Sequence, residues 1–187
     1  MLVKTVLNSI LAGGLIGIGN IALVSCDNRY IGSLLFAVAL LSIIQLQLPL
    51  YTGRIGKIYK NKNPGELLMI LLCNVIGTLD VCHMYMAMNA QNVDKLAALA
   101  LTKASKGYLE LFIAGILCNI LIHIAVTSKK EIITVLCIMG FILCGFEHSI
   151  ADSGYLFIGL PFISWLIVVA GNSVGGILTE ILLHKEG

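Results

Sequence analysis

Residues 142–154 read ILCGFEHSIADSG, and residues 48–53 read LPLYTG. Each short string interrupts a long apolar stretch with residues that a continuous helix avoids. Pro49 removes a backbone donor and forces Leu48 away from helical geometry, and Gly53 then supplies an adjustable turn. At the other site Gly145 precedes Glu147 and His148, and Asp152-Ser153-Gly154 closes the interruption. The rest of the chain can be read outward from these two breaks.

Charges fall in narrow clusters between apolar runs. Residues 5–26 lie between Lys4 and Asp27, and residues 30–53 between Arg29 and Arg54. Further runs cover 65–88, which carries Asp80 near its far end, and 107–128, which ends at Lys129 and Lys130. A fifth starts at Ile132 and meets Glu147, His148 and Asp152, and a sixth runs from about Tyr155 to Thr179. Each has roughly the 20 residues a spanning helix needs. The first leads into a set of similar runs, so it reads as a span and not as a cleaved leader.

The breaks fall in segments two and five, the middle segments of two halves, 1–88 and about 103–187. Ala12-Gly13 answers Ala114-Gly115, and Asn74-Val75-Ile76-Gly77 answers Asn172-Ser173-Val174-Gly175. An odd number of spans per half makes the repeat inverted, and interrupted helices at matching places point to a transport site at mid-membrane. The expected fold is an all-α polytopic membrane protein, one transmembrane domain over 1–187. It has six helices in two inverted three-helix repeats, the second and fifth interrupted.

Composition agrees. Of 187 residues, 58% are hydrophobic and 12% charged, with a mean hydropathy of +0.97. A soluble domain carries about a quarter charged residues, so a disordered chain, a nucleic-acid binder and nearly every soluble enzyme are excluded. A net charge of +2 argues for no polyanionic partner. Orientation follows the basic residues. With the N-terminus cytoplasmic, Lys4, Arg54, Lys57, Lys60, Lys62, Lys129, Lys130 and Lys185 lie inside, against Arg29, Lys95, Lys103 and Lys106 outside. Both termini are therefore expected in the cytoplasm.

His148 is an ionisable residue inside a membrane segment, which by itself raises a functional hypothesis. Between apolar neighbours it could pass a proton to a weak-acid anion or attract that anion when charged. The other reading is a structural histidine hydrogen-bonded to Thr52 or Glu147. Cys82, His83 and Met84 offer soft ligands of the kind that suit Cu(I), so a membrane thiol or metal redox protein is an alternative. Against it, Met84, Met86 and Met88 do not share one helix face, and methionine is common packing material. Cys26 and Cys82 both fall near outer ends, where a disulfide is conceivable. No phosphate loop, dinucleotide fingerprint, hydrolase triad or paired Asn-Pro-Ala box is present, and no cofactor is expected.

The strings GFEHSIAD at Gly145–Asp152, LYTG at Leu50–Gly53, Cys118-Asn119 and GNSVGG at Gly171–Gly176 together resemble the formate/nitrite transporter family over essentially the whole chain. The resemblance implies an aquaporin-like protomer in a homopentamer of the cell membrane. Each protomer would have its own pore for a small monovalent anion: formate, nitrite, hydrosulfide, acetate or lactate. By motif position, His148 matches the pore histidine, Thr52 the threonine of the first break and Asn119 the pore asparagine. Lys103 matches the vestibule lysine, although alone it would read as an ordinary snorkelling lysine. Phe36, Leu40, Leu50 and Phe141 match the apolar constrictions, with Tyr51 beside Leu50 grouped among them.

An apolar slot suits a weak acid. Taking a bare carboxylate out of water costs several kcal/mol or more, and a proton removes that cost because desolvation favours the neutral form. Lys103 would concentrate the anion, and His148 with Thr52 would relay the proton. Plain conduction past a charged His148 is the competing account. The chain also departs from the family. Asp152 replaces a usual asparagine, Pro49 an acidic residue and Arg54 an asparagine, and His123 is an extra histidine. Asp152 either faces His148 from one helical turn away or caps a short helix in a solvated vestibule; the cap is preferred. Asp152, His123 and Glu147 are the expected tuning residues.

Overall fold

A computed structural model describes residues 2–88 and 93–183. Among these residues the regular structure is entirely helical: α1 (Leu2–Ser25), α2 (Arg29–Gln45), α3 (Tyr51–Arg54), α4 (Ile58–Asn61), α5 (Pro64–Met88), α6 (Val93–Ala104), α7 (Tyr108–Thr127), α8 (Glu131–Leu143), α9 (Ser149–Ser153) and α10 (Phe162–Leu183), with a 3-10 turn at Ile55–Lys57. Four helices, α1, α5, α7 and α10, are long and apolar enough to cross a membrane. At 1.5 Å per residue, the 17 residues of α2 and 13 of α8 span only about 26 and 20 Å, short of a bilayer core of about 30 Å. The short helices α3 and α9 follow them after the breaks.

The helices are apolar outward and polar inward. Leu7, Leu11, Ile18, Leu68, Leu72 and Leu166 are exposed, whereas Ser9, Asn20, Thr52, Asn74, Asn119 and Asn172 are buried. That inversion of the soluble pattern is what a lipid solvent selects. The α1–α5 pair is drawn tight by glycine. A Cβ on Gly13 would lie 1.9 Å from the Asn74 carbonyl oxygen, and one on Gly77 2.0 Å from that of Ile10. The α7–α10 pair repeats this, with Cβ positions on Gly171 and Gly175 falling 2.4 and 2.3 Å from the carbonyl oxygens of Phe112 and Ile116. Such approach is the packing available where lipid gives no hydrophobic drive.

Both breaks are built alike. Leaving α2, Leu48 N–H bonds Ile43 O and Gln47 N–H bonds Ile44 O; leaving α8, Phe146 N–H bonds Phe141 O and Gly145 N–H bonds Ile142 O. The left-handed residues are Gln47 (φ 54°) and Gly145 (φ 72°), so each helix ends in a Schellman motif. An asparagine then holds each extended segment. Asn74 accepts from Tyr51 N (2.8 Å) and donates to Pro49 O (3.0 Å) and Ser9 O (2.7 Å). Asn172 accepts from Ser149 N (2.8 Å) and donates to Glu147 O (2.9 Å) and Gly115 O (2.8 Å). Backbone groups that a broken helix strands in the interior must find such partners.

Several boundaries differ from the sequence reading. Gly53 is no turn; it sits inside α3, and the turn is made earlier, at Gln47. The sixth helix begins at Phe162 and not at Tyr155, because Gly159 (φ 131°) turns the chain and Pro161 cannot donate into a helix running through it. The stretch read as a connection after segment three holds α6, which buries Leu96 and Ala100.

Candidate functional site

Two cavities are lined by residues at and beside the breaks. The first, about 500 Å³, is lined by Phe36, Phe141, His148, Asp152, Tyr155 and Lys103, with Asn20, Arg29 and Lys95 among its other walls. The second, about 380 Å³, is lined by Leu40, Ile43, Leu50, Gly53, Arg54, Lys57 and Val126. Phe36 and Phe141 meet edge-on with centroids 6.1 Å apart, and Phe141 lies 5.9 Å from the His148 ring. Of the expected constriction residues, Phe36 and Phe141 thus belong to the Lys103 side, and Leu40 and Leu50 to the Arg54 side. Tyr51 lines neither cavity; its hydroxyl pairs with Ser173 Oγ at 2.8 Å.

His148 and Thr52 come from the two broken segments and meet at the wall of the first cavity, which His148 lines. Thr52 Oγ1 is 2.9 Å from His148 Nε2, and Ala151 N–H donates to His148 Nδ1 at 3.2 Å. An Nδ1 that accepts has no proton, so in the neutral ring Nε2 carries it and donates to Thr52. This geometry assigns the neutral tautomer, since a charged ring would aim a second donor at the Ala151 amide. His148 is itself the N-cap of α9. The expectation that Asp152 caps a short helix in a solvated vestibule is therefore corrected: Asp152 lies within α9 and is buried.

What Asp152 meets is Lys103, at 2.9 Å. Lys103 also pairs with Glu147, and Lys106 reaches Glu147 at 2.7 Å and the Gly145 carbonyl at 3.0 Å. Lys103 further sits 5.7 Å from the Tyr155 ring centroid, within cation–π reach. Burial disfavours the Lys103 ammonium, but Asp152 and Glu147 outweigh it and raise its pKa above the ordinary lysine value. Lys103 and Lys106 thus hold Glu147 and Asp152 between them. α6 carries Lys103 into the site, and the amphipathic spacing of Leu96 and Ala100 was its available signal. Lys106 and Tyr155 carried no motif that marked them.

The remaining α9 backbone is satisfied from a distance. Asn20 Nδ2 donates to Ala151 O at 2.8 Å, and Trp165 Nε1 to Ser149 O at 2.8 Å. Asn119, expected in the pathway, lines neither cavity. Its Nδ2 donates to Asn172 O at 2.7 Å, while its Oδ1 has no hydrogen-bond partner among the described residues. His123 is also away from both cavities, between α7 and α10, with Nε2 2.8 Å from Glu180 Oε2. Glu180 in turn pairs with Lys60 at 2.6 Å, so His123 reads as a histidine satisfied between helices.

The thiol–metal arrangement does not assemble. Cys82 is buried whereas Met84 is exposed, and His83 turns its Nδ1 to Leu79 O at 2.8 Å. Cys26 and Cys82 are both free thiols. Among the described residues no cluster of three or more His, Cys, Asp or Glu side chains could hold a metal.

Comparison with known proteins accounts for the arrangement as a whole. A solved structure described as a pentameric formate channel with formate bound is similar at 21% identity and a TM-score of 0.81, over 97% of this chain and 95% of that one. Another, described as an FNT family ion channel, is similar at 22% identity and a TM-score of 0.80, over 98% and 89%. No curated protein matches. At these identities the structures establish a shared fold. The family model for formate/nitrite transporters matches residues 1–185, nearly the full length, and so the chain belongs to the formate/nitrite transporter family.

Proposed function

We propose that the protein is a multi-pass membrane channel or transporter for a small monovalent weak-acid anion, formate or nitrite, acting passively or linked to protons. The observation that carries this reading is the neutral His148–Thr52 pair, with His148 in the wall of a cavity shared with Phe36 and Phe141 and Leu40 and Leu50 in the walls of a second. An anion reaching the aromatic pair would shed water, and taking a proton would lower the cost of the apolar passage. The hydroxyl and imidazole, already hydrogen-bonded, offer a donor and an acceptor at that point. Lys103 and Asn20, both in the walls of the first cavity, add polar groups to the path.

Six crossings in two inverted halves, the second and fifth broken, is the layout this reading takes. The matched Schellman ends and the matched Asn74 and Asn172 bonds support it. Both helix ends, Leu2 and Leu183, then face the cytoplasm across the cell membrane. The pentameric assembly described for a similar structure supports a homopentamer, in which outward leucines and isoleucines would serve both lipid and neighbouring protomers. As a member of a transporter family, the protein is not an enzyme. Hydrosulfide and short monocarboxylates such as acetate or lactate fit the same chemistry and are the alternative cargo.

The test is flux into liposomes, comparing formate, nitrite, hydrosulfide and acetate at several pH values. Saturable flux of at least one is expected. Absence of flux for every small anion would overturn the assignment.

A further inference from the structure

We propose that His123 and Glu180 form a charge-tuned brace that positions the segment bearing Thr52, the counterpart of a neutral brace, Asn20 with Cys82, on the segment bearing His148. The inference rests on the transport reading above and deepens it. The chain leaves α9 at Gly154, where a Cβ would lie 3.0 Å from Asn20 Nδ2 and 2.9 Å from Cys82 Sγ. Asn20 bonds the Cys82 thiol and donates to Ala151 O at 2.8 Å, so α9 is gripped from α1 and α5. Gly56, in the 3-10 turn that continues α3, is confined in the same way. A Cβ there would lie 2.8 Å from His123 Nδ1, 2.7 Å from His123 Cε1 and 2.7 Å from Gly176 O. The same interval in the chain separates Gly56 from Gly154, Asn74 from Asn172 and Cys82 from Glu180. His123 thus takes the place of Asn20, and Glu180 that of Cys82.

The two braces differ in what a proton does to them. Glu180 is buried, with Oε2 at 2.8 Å from His123 Nε2 and Oε1 at 2.6 Å from Lys60 Nζ. A neutral His123 leaves that carboxylate with Lys60 as its cation; a protonated one adds a second, at a buried site where a pair of charges attracts strongly. The added attraction draws α7 and α10 together over Gly56. Ile55 N–H bonds Tyr51 O, so Thr52 and Gly56 lie in one helical run, and what fixes Gly56 fixes the hydroxyl that meets His148 at 2.9 Å. Other ionisable groups on the elements around the pair have their own surroundings. Arg54 and Lys57 line the neighbouring cavity, Tyr51 bonds Ser173, Tyr59 lies against Lys60, and Glu131 at the start of α8 accepts from Gln45.

The experiment measures exchange of labelled formate in liposomes at equal pH on both sides, for the wild type, His123→Asn and Glu180→Gln, with thermal unfolding on the same preparations. Asparagine is the residue used at the other break; it keeps a hydrogen-bonding side chain and loses the titration. The expected result is His123→Asn exchange within about two-fold of the wild type at about pH 8 and at least about three-fold slower at about pH 5.5. Glu180→Gln removes the partner of the charge and shows the same acid-selective deficit, and either variant carries the test if the other fails to fold. The wild type's margin in unfolding temperature over His123→Asn widens towards acid as well, since the pair of charges exists only while His123 holds its proton. His148 is common to all three proteins, so its own titration cancels in the ratio of rates. A merely structural histidine lowers exchange by one factor at every pH, so a ratio that is flat across the range, or that rises towards acid, overturns the inference. A wild type without formate exchange overturns the transport reading instead, and the unfolding margin then decides whether the brace exists.

Discussion

Gln47 and Gly145 end their helices in the same left-handed turn, at φ 54° and 72°, and only one of them is a glycine. A side chain in this region carries a steric cost of about 1–2 kcal/mol that glycine avoids. Gln47→Gly is therefore expected to stabilise the protein by up to about 1 kcal/mol, and Gly145→Ala to destabilise it by about the same. A Cβ at Gly145 meets nothing within 4 Å, so the alanine effect isolates backbone strain from crowding. Thermal unfolding in detergent reads both. A neutral Gly145→Ala would refute the strain argument.

Asn74 and Asn172 each make three hydrogen bonds to the backbone around a break. Replacing either by leucine strands the buried N–H and the carbonyl of the extended segment, with a cost of about 1–3 kcal/mol for each unsatisfied group. Asn74→Leu and Asn172→Leu should each lower the unfolding temperature strongly, in comparable amounts if the two halves are equivalent. A large loss from one and none from the other would show that the breaks are not held alike.

The breaks and spans were legible because membrane helices are long, uncharged and bounded by charge, and because Pro49, Glu147 and His148 are conspicuous in apolar surroundings. The pairing of Asn74 with Asn172 was visible as an echo, but its reason was not, since the bonds run to backbone 23 and 25 residues away. Other supports were hidden for the same cause: Asn20 reaches Ala151 from 131 residues off. Helices such as α1, α7 and α10 are apolar on their lipid side and carry only a few polar residues, most of them turned inward, so the periodicity that marks the buried face of a soluble helix does not mark it here. Asn119 and His123 could therefore be seen as polar residues within α7 but not placed. The Asp152 misreading came from treating a short helix by itself, when α6 brings Lys103 to its side.

The Lys103–Asp152 pair makes a further prediction. Lys103→Met leaves the buried Asp152 without its cation, while Glu147 keeps Lys106. Removing one partner of a buried pair costs about 3–5 kcal/mol, and Lys103→Met with Asp152→Asn should recover most of it. Because Lys103 has its pKa raised in the fold, its stabilisation is complete below the ordinary unfolded lysine value, near about 10.4, and is lost only as pH rises through the higher folded value. The advantage of the wild type over the double variant should thus shrink in strong base. A double variant as unstable as the single one would show that the pair is not the source of the cost.

His148 has two jobs that substitutions can separate. Its Nδ1 caps α9 through Ala151 N–H, and its Nε2 faces Thr52. Asparagine places an acceptor where Nδ1 stands and is a good N-cap, but it supplies nothing at the Nε2 position. His148→Asn should therefore unfold within a few degrees of the wild type, yet transport formate at least about ten-fold more slowly, the scale of a lost proton-transfer group. His148→Leu loses the cap as well and should be about 1 kcal/mol less stable than His148→Asn. Thr52→Val removes the hydroxyl partner while keeping the shape, and should slow transport without changing the cap. Flux in liposomes and thermal unfolding, measured on the same preparations, check all three. If His148→Asn and Thr52→Val both conduct as the wild type does, the imidazole is a structural cap and the anion crosses without its help.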